Sequence, residues 1–160
     1  MPHTIVIFGA SGDLTSRKLV PALYNLRRAG LLPEATRIVG FSRTPMTDEA
    51  WRASLQESTA RHAGGEPFCP DAWETFADSI HYQPGDIGKS DDLARLKERL
   101  VALEASASVT RVYYLATAPQ FYAPVIAALG SLGMADEAAG PRRVVVEKPF
   151  GTDRATARSL

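Results

Sequence analysis

Short runs of β-branched and aromatic residues recur along this chain, and almost every one is followed by a longer stretch with helical spacing. Residues 4–8, 37–41, 79–83, 109–116 and 142–146 read as strands. Residues 13–28, 48–61, 93–105 and 121–132 carry helical periodicity, with Leu93, Leu96, Leu100 and Leu103 on one stripe. Pro21, inside the first helical stretch, predicts a kink, and Gly30 a helix stop. Thr47 or Asp48 is expected to cap the second helix. Residues 62–70 and 133–141 read as loops, and a last helix is expected to start at Thr152 or Asp153 and to be still running at Leu160. Strand–helix alternation of this kind specifies an α/β fold: a doubly wound parallel sheet with right-handed crossovers. Strands that are apolar throughout fit a sheet covered on both faces.

What the composition excludes narrows the function. Eighteen Lys and Arg are balanced by eighteen Asp and Glu, so there is no positive excess to hold nucleic acid or an anionic membrane surface. No apolar run reaches membrane-spanning length. A single cysteine, Cys69, allows no intrachain disulfide and fits a reducing compartment; the expectation is a soluble, cytoplasmic protein. At 160 residues the chain has the length of one domain.

The chemistry sits where the first strand ends. Gly9, Ala10, Ser11, Gly12, Asp13 and Leu14 form a turn that opens a helix. Glycine lets a phosphate approach backbone N–H groups, and a helix N-terminus behind the turn adds its dipole. In this position the turn is a dinucleotide-site signal, although Ser11 stands where the usual pattern has its second glycine and the third small residue is Thr15. At the end of the second strand an acidic residue would hold a ribose hydroxyl and favour NAD. The residues there are Ser42, Arg43 and Thr44, and the guanidinium of Arg43 suits the 2′-phosphate of NADP. Asp13 is awkward beside a pyrophosphate, so it is expected to cap the helix or to accept from cofactor hydroxyls through water.

Four segments then converge: residues 9–19 (GASGDLTSRKL), 40–43 (GFSR), 114–119 (YLATAP) and 147–153 (EKPFGTD). In that order they resemble the N-terminal coenzyme domain of the glucose-6-phosphate dehydrogenase family, from Ile5 to the end of the chain. The resemblance implies a Rossmann-like domain over residues 1–160, incomplete at its C-terminus, with the substrate domain missing. It implies that residues Gly9 to Ser16, including Thr15, cradle the pyrophosphate of NADP and that Arg43 meets the 2′-phosphate. Asp86 and Ile87 match a pair lining the coenzyme, and Tyr122 an aromatic residue near it. Lys148 matches a lysine touching both coenzyme and glucose 6-phosphate, aimed by a cis peptide before Pro149.

The family's second motif, which supplies the histidines for sugar-phosphate binding and proton abstraction, is not in these 160 residues. No catalytic residue is therefore expected in this chain. His3, His62 and His81 are read as structural, because a general base must lie within reach of the reacting proton and none is beside a matched residue. No cluster with metal-ligand spacing stands out. The expected function is the coenzyme part of an NADP-dependent dehydrogenase that oxidises glucose 6-phosphate to 6-phosphogluconolactone, the chain alone binding NADP without turnover. A stand-alone NADP-binding module without catalysis is the alternative. The family is homo-oligomeric, but its dimer contacts lie largely outside the matched domain. The last strand is expected to present an unpaired edge.

Overall fold

A computed structural model describes residues 1–105, 108–148 and 153–158 of the chain. Five parallel strands form one sheet: β1 (His3–Phe8), β2 (Thr36–Ser42), β3 (Ile80–Pro84), β4 (Thr110–Leu115) and β5 (Arg142–Val146), in the order β3-β2-β1-β4-β5. The chain winds outward from β1 in one direction, returns, and continues in the other. This is the doubly wound Rossmann-like topology, and it places a switch point between β1 and β4.

Helices cover both faces. On one side α1 (Val20–Arg28), α2 (Asp48–His62) and α3 (Pro70–Ala77) bury Tyr24, Trp51, Leu55, Trp73 and Phe76 against Ile7, Ile38 and Ile80. On the other, α4 (Ser90–Glu104) and α5 (Tyr122–Ser131) bury Leu93, Leu96, Leu100, Val125 and Leu129 against Val6, Phe8, Val39 and Tyr113. Alternate residues of β1 thus face opposite cores, which accounts for its unbroken apolar run. A short last helix, α6, spans Arg154–Arg158.

Several local expectations change in the folded chain. Pro21 stands where the helical run changes from π to α. It is the second residue of α1 and follows a π-helical turn, Thr15–Leu19, in which Val20 N–H donates to Thr15 O. The wider turn accommodates a residue that has no N–H and whose ring would crowd the carbonyl of Arg17. Helix α3 falls in a region with no strong periodicity: Pro70 opens it, and Trp73 and Phe76, three residues apart, turn to the core. The strand expected over 142–146 forms, but it is not apolar on both faces: it is the outer strand of the described sheet, with Val144 and Val145 exposed. The opposite edge is closed by side chains. Tyr82 N–H donates to Asp48 Oδ1 at 2.7 Å and Arg52 Nε donates to Ile80 O at 2.8 Å, satisfying edge groups that would otherwise invite another strand.

A buried ion pair joins α4 to β4. Arg111 donates to Glu104 through Nε at 2.9 Å and Nη2 at 2.6 Å, with both side chains under a tenth exposed. Tyr113 accepts from Arg111 Nη1 and donates to Met134 O at 2.7 Å, which completes the network. Removing one partner strands a buried charge. Glu104→Ala is expected to lower stability by about 3–5 kcal/mol, read as a lower urea midpoint with an unchanged slope.

Candidate functional site

At the C-terminal ends of the strands lies a cleft of about 710 Å³. Its floor is the turn after β1, with Gly9, Ser11 and Gly12. One wall is the end of β2, from Phe41 to Pro45, with Gly85, Asp86 and Ile87 beyond β3. The other wall is Ala116, Thr117 and Ala118 after β4, with Phe121. Crevices at the switch point of such sheets are where ligands bind.

The turn is tight because Gly9 allows it. Gly9 has φ +84°, and a Cβ there would stand 2.2 Å from Ala116 O. Gly9 N–H and Ala10 N–H both donate to Phe41 O, at 3.0 and 3.3 Å, while Ala116 N–H donates to Phe8 O at 3.0 Å. The turn closes through Gly12 N–H to Gly9 O at 3.0 Å, and Thr15 Oγ1 donates to the same carbonyl at 3.2 Å. A helical run begins at Asp13, one residue beyond the cleft-lining Gly12, so first-turn amides that no helix satisfies internally lie next to the cleft floor.

The β2 wall is held by a hydrogen-bonded cluster. Tyr82 O–H donates to Thr44 O at 2.6 Å, and its oxygen lies 2.6 Å from Ser42 Oγ. Ser42 Oγ is in turn 3.0 Å from Ser11 Oγ, which ties this wall to the glycine turn. Burial pushes the Tyr82 phenol above its ordinary value, against the pull of the Ser42 bond, so it keeps its proton. Arg43 is exposed in this wall and has no carboxylate partner among the described residues. Asp86 is spent locally: its Oδ1 accepts Gly88 N–H at 2.8 Å, and its own N–H donates to Asp92 Oδ2 at 2.8 Å.

Of the residues singled out in the sequence, Gly9, Ser11, Gly12, Arg43, Asp86 and Ile87 come together in the cleft. Ala10 and Thr15 are buried behind the turn. Asp13 is exposed and Leu14 half-buried at the start of the helical run. Ser16 Oγ donates to Asp13 O at 3.3 Å. Tyr122 is 2% exposed and packs in the core with Val125 and Leu129, so its ring does not line this cleft. Its neighbour Phe121, at the end of the 3₁₀ turn Pro119–Phe121, stands in the cleft and is 37% exposed.

Lys148 is exposed and does not line the cleft either. The residue before it is anchored, for Tyr114 O–H donates to Glu147 Oε1 at 2.9 Å. Burial and that carboxylate push the Tyr114 phenol up to about 12. The peptide before Pro149 and the segment 149–152 lie outside the described residues. Sequence reasoning missed Ser42, Thr44, Thr117, Ala118 and Phe121 as wall residues; the motifs 40–43 and 114–119 were the signal that could have found most of them.

No histidine lines the cleft. His3 begins β1, and His62 ends α2, where its Nδ1 lies 2.8 Å from Ser58 O. His81 faces Asp48 across the outer edge of β3, and burial holds it below its ordinary value despite that carboxylate. Among the described residues no group of three or more His, Cys, Asp or Glu side chains could hold a metal ion, and no helix is long and apolar enough to cross a membrane.

Comparison with known proteins gives one consistent result. The family described as "Glucose-6-phosphate dehydrogenase, NAD binding domain" matches residues 6–160. The chain is 39% identical over 158 residues to a glucose-6-phosphate 1-dehydrogenase of Aggregatibacter actinomycetemcomitans, covering 98% of this chain and 31% of that protein. It is 38% identical to that of Treponema pallidum, covering 99% and 31%. Among solved structures, a glucose-6-phosphate dehydrogenase in complex with its substrate glucose-6-phosphate superposes with a TM-score of 0.85 at 31% identity, covering 98% of this chain and 32% of the other. The chain thus spans under a third of the length of the relatives it matches.

The geometry of the turn makes a stability contrast. Gly9→Ala must move a backbone carbonyl and adopt an unfavourable φ, whereas a Cβ at Gly12 meets only Gly9 O at 3.2 Å. Gly9→Ala is expected to lower the melting temperature by about 5 °C or more, and Gly12→Ala by about 2 °C or less, in differential scanning calorimetry.

Proposed function

This chain belongs to the glucose-6-phosphate dehydrogenase family, and we propose that it is the NADP-binding part of an enzyme that oxidises glucose 6-phosphate to 6-phosphogluconolactone. A nicotinamide dinucleotide is the ligand named for the family's domain. The choice of NADP rests on one observation: the unpaired Arg43 guanidinium opens into the same cleft as the glycine turn. A planar fork of donors suits a phosphate dianion, and no carboxylate stands at the end of β2 to hold a bare ribose.

The residues present fit such a group. Gly9 and Gly12 carry no side chain into the turn, so a pyrophosphate can approach the Ser11 amide, the one amide of residues 9–12 that donates to no backbone carbonyl, and the helix start behind it. Ser11 and Gly12 line the floor beneath the phosphates. Asp86 and Ile87 border the coenzyme past β3, and Phe121 offers a ring face on the opposite wall. When bound, the nicotinamide supplies the hydride acceptor. What this chain contributes is position: it holds the dinucleotide along the strand ends and keeps Lys148, just beyond the Tyr114–Glu147 bond, available to the sugar phosphate.

A general base is a separate requirement. None of the three histidines reaches the cleft, so this chain is expected to bind NADP⁺ without oxidising sugar phosphate. In this reading residues 1–160 act as one coenzyme unit, and the base and the remaining sugar contacts come from the rest of the much longer enzyme. The single cysteine fits a reducing compartment such as the cytoplasm.

Calorimetric titration tests the reading. NADP⁺ is expected to bind more tightly than NAD⁺. Arg43→Ala should weaken NADP⁺ by about 10- to 100-fold, the loss of a charged hydrogen-bonded contact, and leave NAD⁺ nearly unchanged. Equal losses for the two dinucleotides, or no binding to the folded chain, would contradict it.

A further inference from the structure

Arg43 selects a 2′-phosphate only if its backbone points the guanidinium into the cleft, and past Ser42 the side chain that reaches that backbone is the Tyr82 phenol. Beyond β2 the chain leaves the sheet ladder; Gly85 N–H donates to Ser42 O at 2.9 Å, and Thr47 next caps α2 by accepting from Ala50 N–H. Between these points Arg43, Thr44 and Pro45 are exposed. The Tyr82 hydroxyl reaches into this gap from β3, donating to Thr44 O at 2.6 Å and bonding Ser42 Oγ on the other side of Arg43 at 2.6 Å. We propose that Tyr82 is a positioning residue for coenzyme selection: its hydroxyl fixes residues 42–44 so that Arg43 is presented to the 2′-phosphate, and through Ser42 and Ser11 it ties that presentation to the glycine turn under the pyrophosphate.

The inference rests on the reading of the cleft as an NADP site and adds to it the group that sets the dinucleotide preference. Tyr82 is well placed for the part. It is 4% exposed, and its ring packs on Trp51 with centroids 5.3 Å apart, so the oxygen has little freedom. Arg43, by contrast, is a long side chain at the surface, and its ordering on binding is unfavourable unless the backbone beneath it is already in place. The phenol and the ring thus have separable tasks. The ring fills the core under α2, and the hydroxyl acts only on the loop. Thr44 is exposed, so water can replace the lost donor at its carbonyl and the fold survives removal of the hydroxyl.

The test is a calorimetric cycle on the whole chain with Tyr82→Phe, Arg43→Ala and the double variant, each titrated with NADP⁺ and with NAD⁺. Tyr82→Phe keeps the ring and is expected to reduce NADP⁺ affinity by about five-fold while changing NAD⁺ by less than about two-fold. In the Arg43→Ala background the same change should have no further effect, because the group it positions is gone. A Tyr82→Phe chain with the wild-type preference for NADP⁺, equal losses for both dinucleotides, or the same loss with and without Arg43 would overturn the positioning role while leaving the coenzyme site standing. Failure of the wild-type chain to bind either dinucleotide would overturn both.

Discussion

Gly9 leaves β1 with φ +84°, and the carbonyl of Ala116 occupies the place where a Cβ would project. Two further contacts depend on that absence. Gly9 and Ala10 both donate to Phe41 O at the end of β2, and Ala116 N–H closes onto Phe8 O from β4. Three strands are therefore pinned together within one turn, at the point where the winding of the sheet reverses. A larger residue would push β4 away from β1 and flatten the crevice between them. The cleft is thus a consequence of close backbone approach, and its walls are the next residues along each of the strands that meet there.

From that point the molecule divides its labour by strand end. The middle of the sheet is dry on both faces, packed by aromatic rings on the α1–α3 side and by leucines and tyrosines on the α4–α5 side. The charged groups that are buried there are paired, as Arg111 is with Glu104. At the cleft the rule changes: Arg43 is left without a partner, backbone amides are left at a helix start, and the acidic Asp86 is turned to its own loop. An anionic ligand completes what the protein leaves open.

How much of this could be read from the sequence depends on the range of the forces involved. Strand runs, the glycine turn and Arg43 were legible because each is marked by local chemistry next to a strand end, whereas the pair Asp86–Ile87 came only with the family resemblance. Helix α3 was not, since eight residues opened by a proline carry too short a pattern to announce themselves. Nor was Phe121: the 3₁₀ turn before α5 rotates Phe121 into the cleft and Tyr122 into the core, and no spacing rule anticipates that rotation. The Ser11–Ser42–Tyr82–Thr44 cluster joins residues up to 71 positions apart through side-chain oxygens, and only the folded chain shows it. His81 stands beside Asp48 at the outer edge of the sheet, away from the cleft, and that placement too is tertiary.

The central claim is that the strand ends around Gly9 form one coenzyme cleft. Its most direct test is an NADP⁺ titration of the ¹⁵N-labelled chain followed by amide chemical shifts. Changes confined to residues 9–16, 42–45, 85–87 and 116–121, saturating together, are the expected result. Saturable binding whose shifts fall on the outer faces of α4 and α5, or on α2 and α3 away from the strand ends, would contradict the claim.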